Sequence, residues 1–174
     1  MKSAMYAVVF LCGTLPLCAD DLTGKVEAAG IVGGTYVSQG FGSHVILGGS
    51  AGYGLTSKAQ VFGEFTFSPG SSFFGVRETF LDYLGGVKWN LKSSNKGDLY
   101  LSGGLGAGTD RFSGGGFSNS LSNFAIYAGV GYRIYVRKNW GIAPELRLMH
   151  YFGGDGDLNA AHYTASVFYE WGRK

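Results

Sequence analysis

The sequence predicts an all-β fold: an eight-stranded antiparallel up-and-down transmembrane β-barrel, preceded by a cleavable signal peptide. Three observations carry this expectation. Apolar and polar residues alternate with a period of two in eight successive runs, where a helix would show a period near 3.6. The alternation gathers the charged residues on one face of each run and the aromatic and aliphatic residues on the other. The composition is rich in Gly (31 of 174 residues) and in aromatics (16%) but poor in charge (15%), with only 3 Pro. An average domain carries about 7% Gly and about 25% charged residues. A disordered chain shows the opposite balance, and collagen is excluded because the glycines follow no three-residue period. A net charge of +2 with no basic stripe offers nucleic acid no binding surface.

Residues 1–19 read as a signal peptide. Lys2 precedes an apolar run, and Ala19 stands before Asp20-Asp21. The run is shorter than the ~20 residues that a spanning helix needs. Both cysteines, Cys12 and Cys18, lie in this leader, so the exported domain, 20–174, is expected to contain none. It then has no disulfide, thiol nucleophile or thiolate metal site.

The runs lie near 25–37, 44–54, 58–67, 76–91, 98–107, 123–136, 140–152 and 161–171. Most reach the 9–11 residues of a tilted membrane strand. The first sets Glu27 opposite Tyr36 in register, and the second sets Gly48, Gly52 and Gly54 against Tyr53. The third places Phe62 and Glu64 on one face and Phe65 and Phe67 on the other; the fourth places Phe80, Asp82, Gly86 and Lys88 against Trp89. In the fifth, Tyr100, Gly104 and Gly106 share the inner register. The sixth puts Tyr127, Gly129, Gly131, Arg133 and Tyr135 inside and Phe124 outside. The seventh sets Glu145, Arg147 and Tyr151 against Trp140, Leu146, Leu148 and Phe152. The eighth sets His162, Phe168 and Glu170 against Tyr163, Tyr169 and Trp171.

Connections alternate in length. Leu55-Thr56-Ser57 and Arg137-Lys138-Asn139 are tight and 92–97 is moderate, whereas 38–43, 68–75, 109–122 and 153–160 read as longer polar or Gly-rich loops. Short turns at one end and long loops at the other fit a barrel with periplasmic turns and extracellular loops.

Charge then fixes which face meets lipid. Glu27, Glu64, Asp82, Lys88, Arg133, Glu145, Arg147 and Glu170 fall on the less apolar face and are expected to form an interior ion-pair network. Within it, Arg133, Glu145 and Arg147 are expected to close the lumen. An Arg or Lys at the lipid midplane would cost about 2–4 kcal/mol, which accounts for an outer face with almost no charge between its ends, Arg77 and His150 sitting near the loop side. A water-soluble barrel would have the two faces exchanged. Tyr53, Trp89, Trp140, Tyr169 and Trp171 are expected to form a periplasmic-side aromatic girdle, and Tyr36, Phe65, Phe67, Phe124, Phe152 and Tyr163 an extracellular-side one. The inward glycines are read as space made for large inward rings.

Eight alternating strands, a leader, tight turns and an aromatic last strand ending in Tyr169 and Trp171 resemble the small bacterial outer-membrane β-barrels. These include the transmembrane domain of outer-membrane protein A and the outer-membrane protein X and W types. The resemblance is architectural and covers 24–171. It implies an outer-membrane location, outer-membrane lipids as surroundings, the outer-membrane assembly machinery as a partner in biogenesis, and a monomer. Such barrels end on an aromatic residue, whereas here Gly172-Arg173-Lys174 follow Trp171.

The function expected is an integral outer-membrane protein with a structural or surface role and a lumen filled by side chains. A narrow channel for small solutes is the alternative, and a lipid-modifying enzyme ranks below both. Lipid A deacylases among such barrels carry a His-x-Ser pair; His150-Tyr151-Phe152 lacks the Ser, and a hydrolase needs its nucleophile beside its base. His44 and His162 alone make a weak metal site, and Asp155 and Asp157 lack the other ligands of a calcium loop. No catalytic residue, cofactor or metal site is therefore expected. The Gly-rich stretches 30–34 and 101–106 precede no helical pattern and so cradle no phosphate.

Overall fold

A computed structural model describes residues 21–38, 42–73, 76–94, 97–114, 117–153 and 157–172. The leader 1–19 and Asp155 lie outside these residues. Eight strands form in chain order: β1 (Val26–Val37), β2 (Gly42–Gly54), β3 (Ala59–Phe73), β4 (Val76–Ser94), β5 (Gly97–Gly114), β6 (Phe117–Arg137), β7 (Trp140–Phe152) and β8 (Leu158–Trp171). Each pairs antiparallel with its sequence neighbours, and β1 pairs with β8, so the sheet closes on itself. Closure leaves no strand edge and satisfies the backbone inside the sheet, as a hydrocarbon environment requires.

Side-chain burial inverts the pattern of a water-soluble protein. Along β7 buried and exposed positions alternate strictly at first. The buried set includes Glu145 and Arg147, while Ile142, Leu146 and Leu148 are 41%, 50% and 66% exposed. The same inversion runs round the barrel: Val32, Val45, Leu105 and Val167 are exposed, whereas Glu27, Asp82, Arg133 and Glu170 are buried. In water this outer belt would be strongly unfavourable; in lipid it is the stable arrangement.

Three strand pairs run beyond the alternating segments. Of residues 109–122, expected as the longest loop, 109–114 and 117–122 form instead the outer part of the β5–β6 ladder, from Thr109↔Ser122 to Gly114↔Phe117. The β3–β4 pair likewise continues past residue 67 to Phe73↔Val76, with a register shift between Pro69 and Ser72, where proline's missing N–H is tolerated. At the opposite end β4 and β5 pair as far as Ser94↔Gly97. The alternation stops because these segments lie where both faces of the ladder can meet water, not because pairing stops.

The tight connections have local causes. After β2, the Thr56 hydroxyl accepts from the backbone N–H groups of Lys58 (3.3 Å) and Ala59 (3.0 Å), folding the chain back into β3. Between β6 and β7, the Asn139 side chain donates to the Glu170 carbonyl at 2.8 Å and ties this turn to the end of β8. Before β1, Gly24 adopts φ 72°, a left-handed conformation that folds Leu22 beneath the barrel. Leu22 is only 1% exposed there, with its carbonyl accepting from Lys25 N–H at 2.9 Å.

Candidate functional site

The lumen is the candidate site, because it holds nearly all the buried charge. Small residues leave room for it. A Cβ on Gly131 would run into the Tyr100 ring, and one on Gly86 or Gly104 into the Tyr127 hydroxyl. Gly86, Gly104 and Gly131 therefore make room for large rings, whereas Gly52 faces the Gln60 side chain and Gly129 those of Ser102 and Arg147; rings, amides and charged groups together fill the interior.

One cluster centres on Arg147 of β7. Its Nη1 lies 2.5 Å from Glu64 Oε1 and its Nη2 2.8 Å from Glu64 Oε2, a two-pronged pair. Glu64 belongs to β3, four strands from β7 in a ring of eight, so this pair spans the barrel's full width. Arg147 also donates to Glu145 on its own strand, from Nε at 2.7 Å and Nη2 at 3.0 Å. Ser102 and Tyr100 hydroxyls complete the coordination of Glu145, at 2.5 and 3.0 Å.

A second cluster centres on Glu27 of β1. Arg133 of β6 lies 2.8 Å from Glu27 Oε2, and Lys88 of β4 lies 3.1 Å from Oε1. Arg133 also donates to the side-chain oxygens of Gln60 and Asn90. The expected trio of Arg133, Glu145 and Arg147 is thus divided: Arg133 pairs with Glu27, whereas Arg147 pairs with Glu145 and Glu64. Aromatic rings connect the clusters. Arg133 and Lys88 sit 5.3 and 5.7 Å from the Tyr100 ring centre, while Lys88 and Arg147 sit 4.9 and 5.8 Å from that of Phe62.

Asp82 and Glu170, outside these two clusters, take tyrosine partners as Glu145 does. Asp82 accepts from Tyr151 at 3.0 Å and from Thr66 at 3.3 Å, with no cation bonded to it among the described residues. The Tyr135 hydroxyl stands 2.8 Å from Asp98 Oδ2 and 3.2 Å from Glu170 Oε1 and donates to either. Gln60, Asn90, Asp98 and Ser102 were not foreseen as members of these clusters. Each nevertheless sits two residues from an inward ring or charge: Gln60 from Phe62, Asn90 from Lys88, Asp98 and Ser102 from Tyr100. The inner register, continued by two, is the signal that finds them.

On the outer face, Tyr53, Trp89, Trp140 and Trp171 are exposed beside the tight connections, with Tyr169 packed between Trp140 (centroids 5.2 Å) and Trp171 (4.7 Å). Towards the other end Phe124 and Phe152 lie 5.8 Å apart, and Tyr36 and Tyr163 are exposed. Phe65 pairs with Tyr83 and Phe67 with Leu81, on the long β3–β4 ladder. His150 lies on the outer face against Phe152, with its Nδ1 2.9 Å from Asn159. No group of three or more His, Cys, Asp or Glu side chains among the described residues could hold a metal ion.

Comparison with solved structures finds the same architecture. Neisserial surface protein A superimposes with a TM-score of 0.72 at 14% identity, over 84% of this chain and 97% of that one. Ail, the attachment invasion locus protein of Yersinia pestis, gives 0.54 at 16% identity, over 84% and 99%. The N-terminal β-barrel domain of OprF from Pseudomonas aeruginosa gives 0.57 at 14% identity, over 84% and 98%. At such identities the likeness is one of fold. A sequence search of curated proteins finds no match. The sequence profile of the outer membrane protein beta-barrel domain matches residues 5–170. With profile, closed eight-stranded topology and inverted faces in agreement, the chain belongs to the outer membrane protein β-barrel domain family and is an integral protein of the bacterial outer membrane.

Proposed function

We propose that this barrel is a non-conducting, non-enzymatic surface protein, exported through the leader 1–19 and held as a monomer in the outer membrane. In this reading the 20–174 domain is inserted by the outer-membrane assembly machinery. The two aromatic sets seat it at the lipid interfaces, and the extended strand pairs face the exterior. The observation that carries the proposal is the Arg147–Glu64 pair across the full width of the barrel. A water-filled path would have to pass that pair, the Arg133–Glu27 pair and the Phe62 and Tyr100 rings. Arrangements of this kind resist opening, because separating a buried ion pair leaves uncompensated charge in a medium of low polarity. This disfavours the narrow channel.

Planar-bilayer recording tests the proposal. The purified protein is expected to give no stable conductance, whereas the triple variant Glu64→Gln, Glu145→Gln, Arg147→Gln is expected to give small, frequent openings. Large stable conductance of the unaltered protein would overturn the plugged-barrel reading. Lipid A acylation unchanged on expression is the matching expectation for the absence of hydrolase activity.

A further inference from the structure

Above the Arg147 cluster, the end of the lumen nearer the extended strand pairs has a different character. A cavity of about 50 Å³ opens there, with Glu78 and Asp110 in its wall. Glu78 pairs with Phe112, and Phe80 pairs with Asp110, so the two carboxylates lie diagonally across adjacent strands on the inner face. No cationic side chain among the described residues bonds to either. Asp82, two residues further along β4 from Phe80, adds a third carboxyl group on the same inner face and is bonded to the Tyr151 hydroxyl. Two hydroxyls in the same wall, Thr35 Oγ1 and Ser68 Oγ, are buried, each residue being 4% exposed, and have no hydrogen-bond partner among the described residues. Buried polar atoms are ordinarily bonded, so a built cavity with two unbonded oxygens and two carboxylates that no described Lys or Arg pairs with is arranged for a donor that carries positive charge.

The remaining wall decides which cation. Val37, Leu158 and the Phe80 and Tyr151 rings are apolar surface, and His44 is the other polar neighbour. A calcium ion takes six to eight oxygens and gains nothing from such a wall. An alkylammonium gains on both counts: three N–H donors for the carboxylates and hydroxyls, and methylenes against the rings, where cation–π attraction adds to the contact. The volume admits an ammonium and part of its stem, leaving the rest of the ligand outside.

We propose that this cavity binds the primary ammonium group of an aliphatic amine, with Glu78 and Asp110 as counter-ions and Thr35 and Ser68 as additional acceptors. The site does not depend on whether the lumen conducts.

Amide chemical shifts of the full exported domain in lipid nanodiscs, titrated with 1,4-diaminobutane, test it. Saturable shifts confined to the amides around Glu78, Phe80, Asp110, Thr35 and Ser68 are expected, weakened at least tenfold in Glu78→Gln/Asp110→Asn. Within the unaltered protein, butane-1,4-diol is expected to give no saturable shifts, so the result does not hang on the variant's folding. Nα-acetyl-lysine methylamide separates the sources: binding tighter than the diamine assigns the site to protein lysines, and weaker binding assigns it to free amines. Calcium chloride producing the saturable shifts while the diamine does not would overturn the proposal. So would equal binding of diol and diamine, or retention of affinity in the folded double variant.

Discussion

Arg147 carries an unusual share of the interior, since its guanidinium engages Glu64 across the barrel and Glu145 along its own strand. Removing it strands two buried carboxylates, so Arg147→Met is expected to destabilise the barrel by about 3–5 kcal/mol. Removing the charges together is a different matter. Glu64→Leu, Glu145→Gln, Arg147→Met removes Arg147 together with both of its carboxylate partners, keeps an acceptor for Ser102 and Tyr100, and is expected to cost much less than Arg147→Met alone. Equilibrium urea unfolding in lipid vesicles measures both, and an equal loss in the two variants would contradict the account. Gly131 poses the complementary case. A methyl there meets the Tyr100 ring, so Gly131→Ala is expected to cost about 1–3 kcal/mol, and most of that cost should vanish in a Tyr100→Leu background. A double-mutant cycle by the same unfolding assay reads the coupling. At this scale the inward direction of Arg133, Glu145 and Arg147 was legible, because direction follows from the two-residue period. Their partners were not. Which carboxylate Arg133 meets depends on strands several places away round the ring, and spacing along β6 and β7 carries no information about Glu27.

Strand ends show what alternation measures. Phe124 to Val136 alternates cleanly because one face meets lipid and the other the packed lumen. Thr109 to Ser122 does not, although its ladder is continuous and Thr109 Oγ1 and Ser122 Oγ lie 2.9 Å apart across it. The period reports the difference between two environments; where the β5–β6 pair stands with similar surroundings on both faces, the signal fades while the hydrogen bonds persist. Six of the eight strand starts were legible within two residues for this reason; β8 begins three residues before its alternating run, and β6 begins in that outer segment. Such a pair has few buried apolar contacts to hold it, and Ser118 to Ser122 are exposed. Its amides are therefore expected to exchange with deuterium at least tenfold faster than those of 124–134 in the same strand. Mass spectrometry of the exported domain in nanodiscs resolves the two segments, and equal protection would mean that the outer ladder is packed against something.

The whole molecule has two unlike ends, and an orientation is expected from that asymmetry. One end gathers the connections at 55–58 and 138–139, all three tryptophans and the first and last strand termini, since eight antiparallel strands return the chain to its starting side. The other holds the long ladders of β3–β4 and β5–β6. During insertion the connections at one end must cross the bilayer, and the short ones of such barrels stay on the periplasmic side. Tryptophan at a single depth agrees, because its ring combines an apolar body with an N–H donor and settles at an interface. Cysteine chemistry provides the test, since Cys12 and Cys18 both fall in the proposed leader and leave the exported domain without a background thiol. In intact cells a membrane-impermeant maleimide is expected to label Ser120→Cys, an exposed position on the outer β5–β6 ladder. Thr56→Cys, exposed in the β2–β3 turn, is expected to react only after the outer membrane is permeabilised. Labelling in the reverse order would turn the barrel over and exchange the two aromatic girdles. It would also move the ammonium cavity beside Asp110 from the cell exterior to the periplasm.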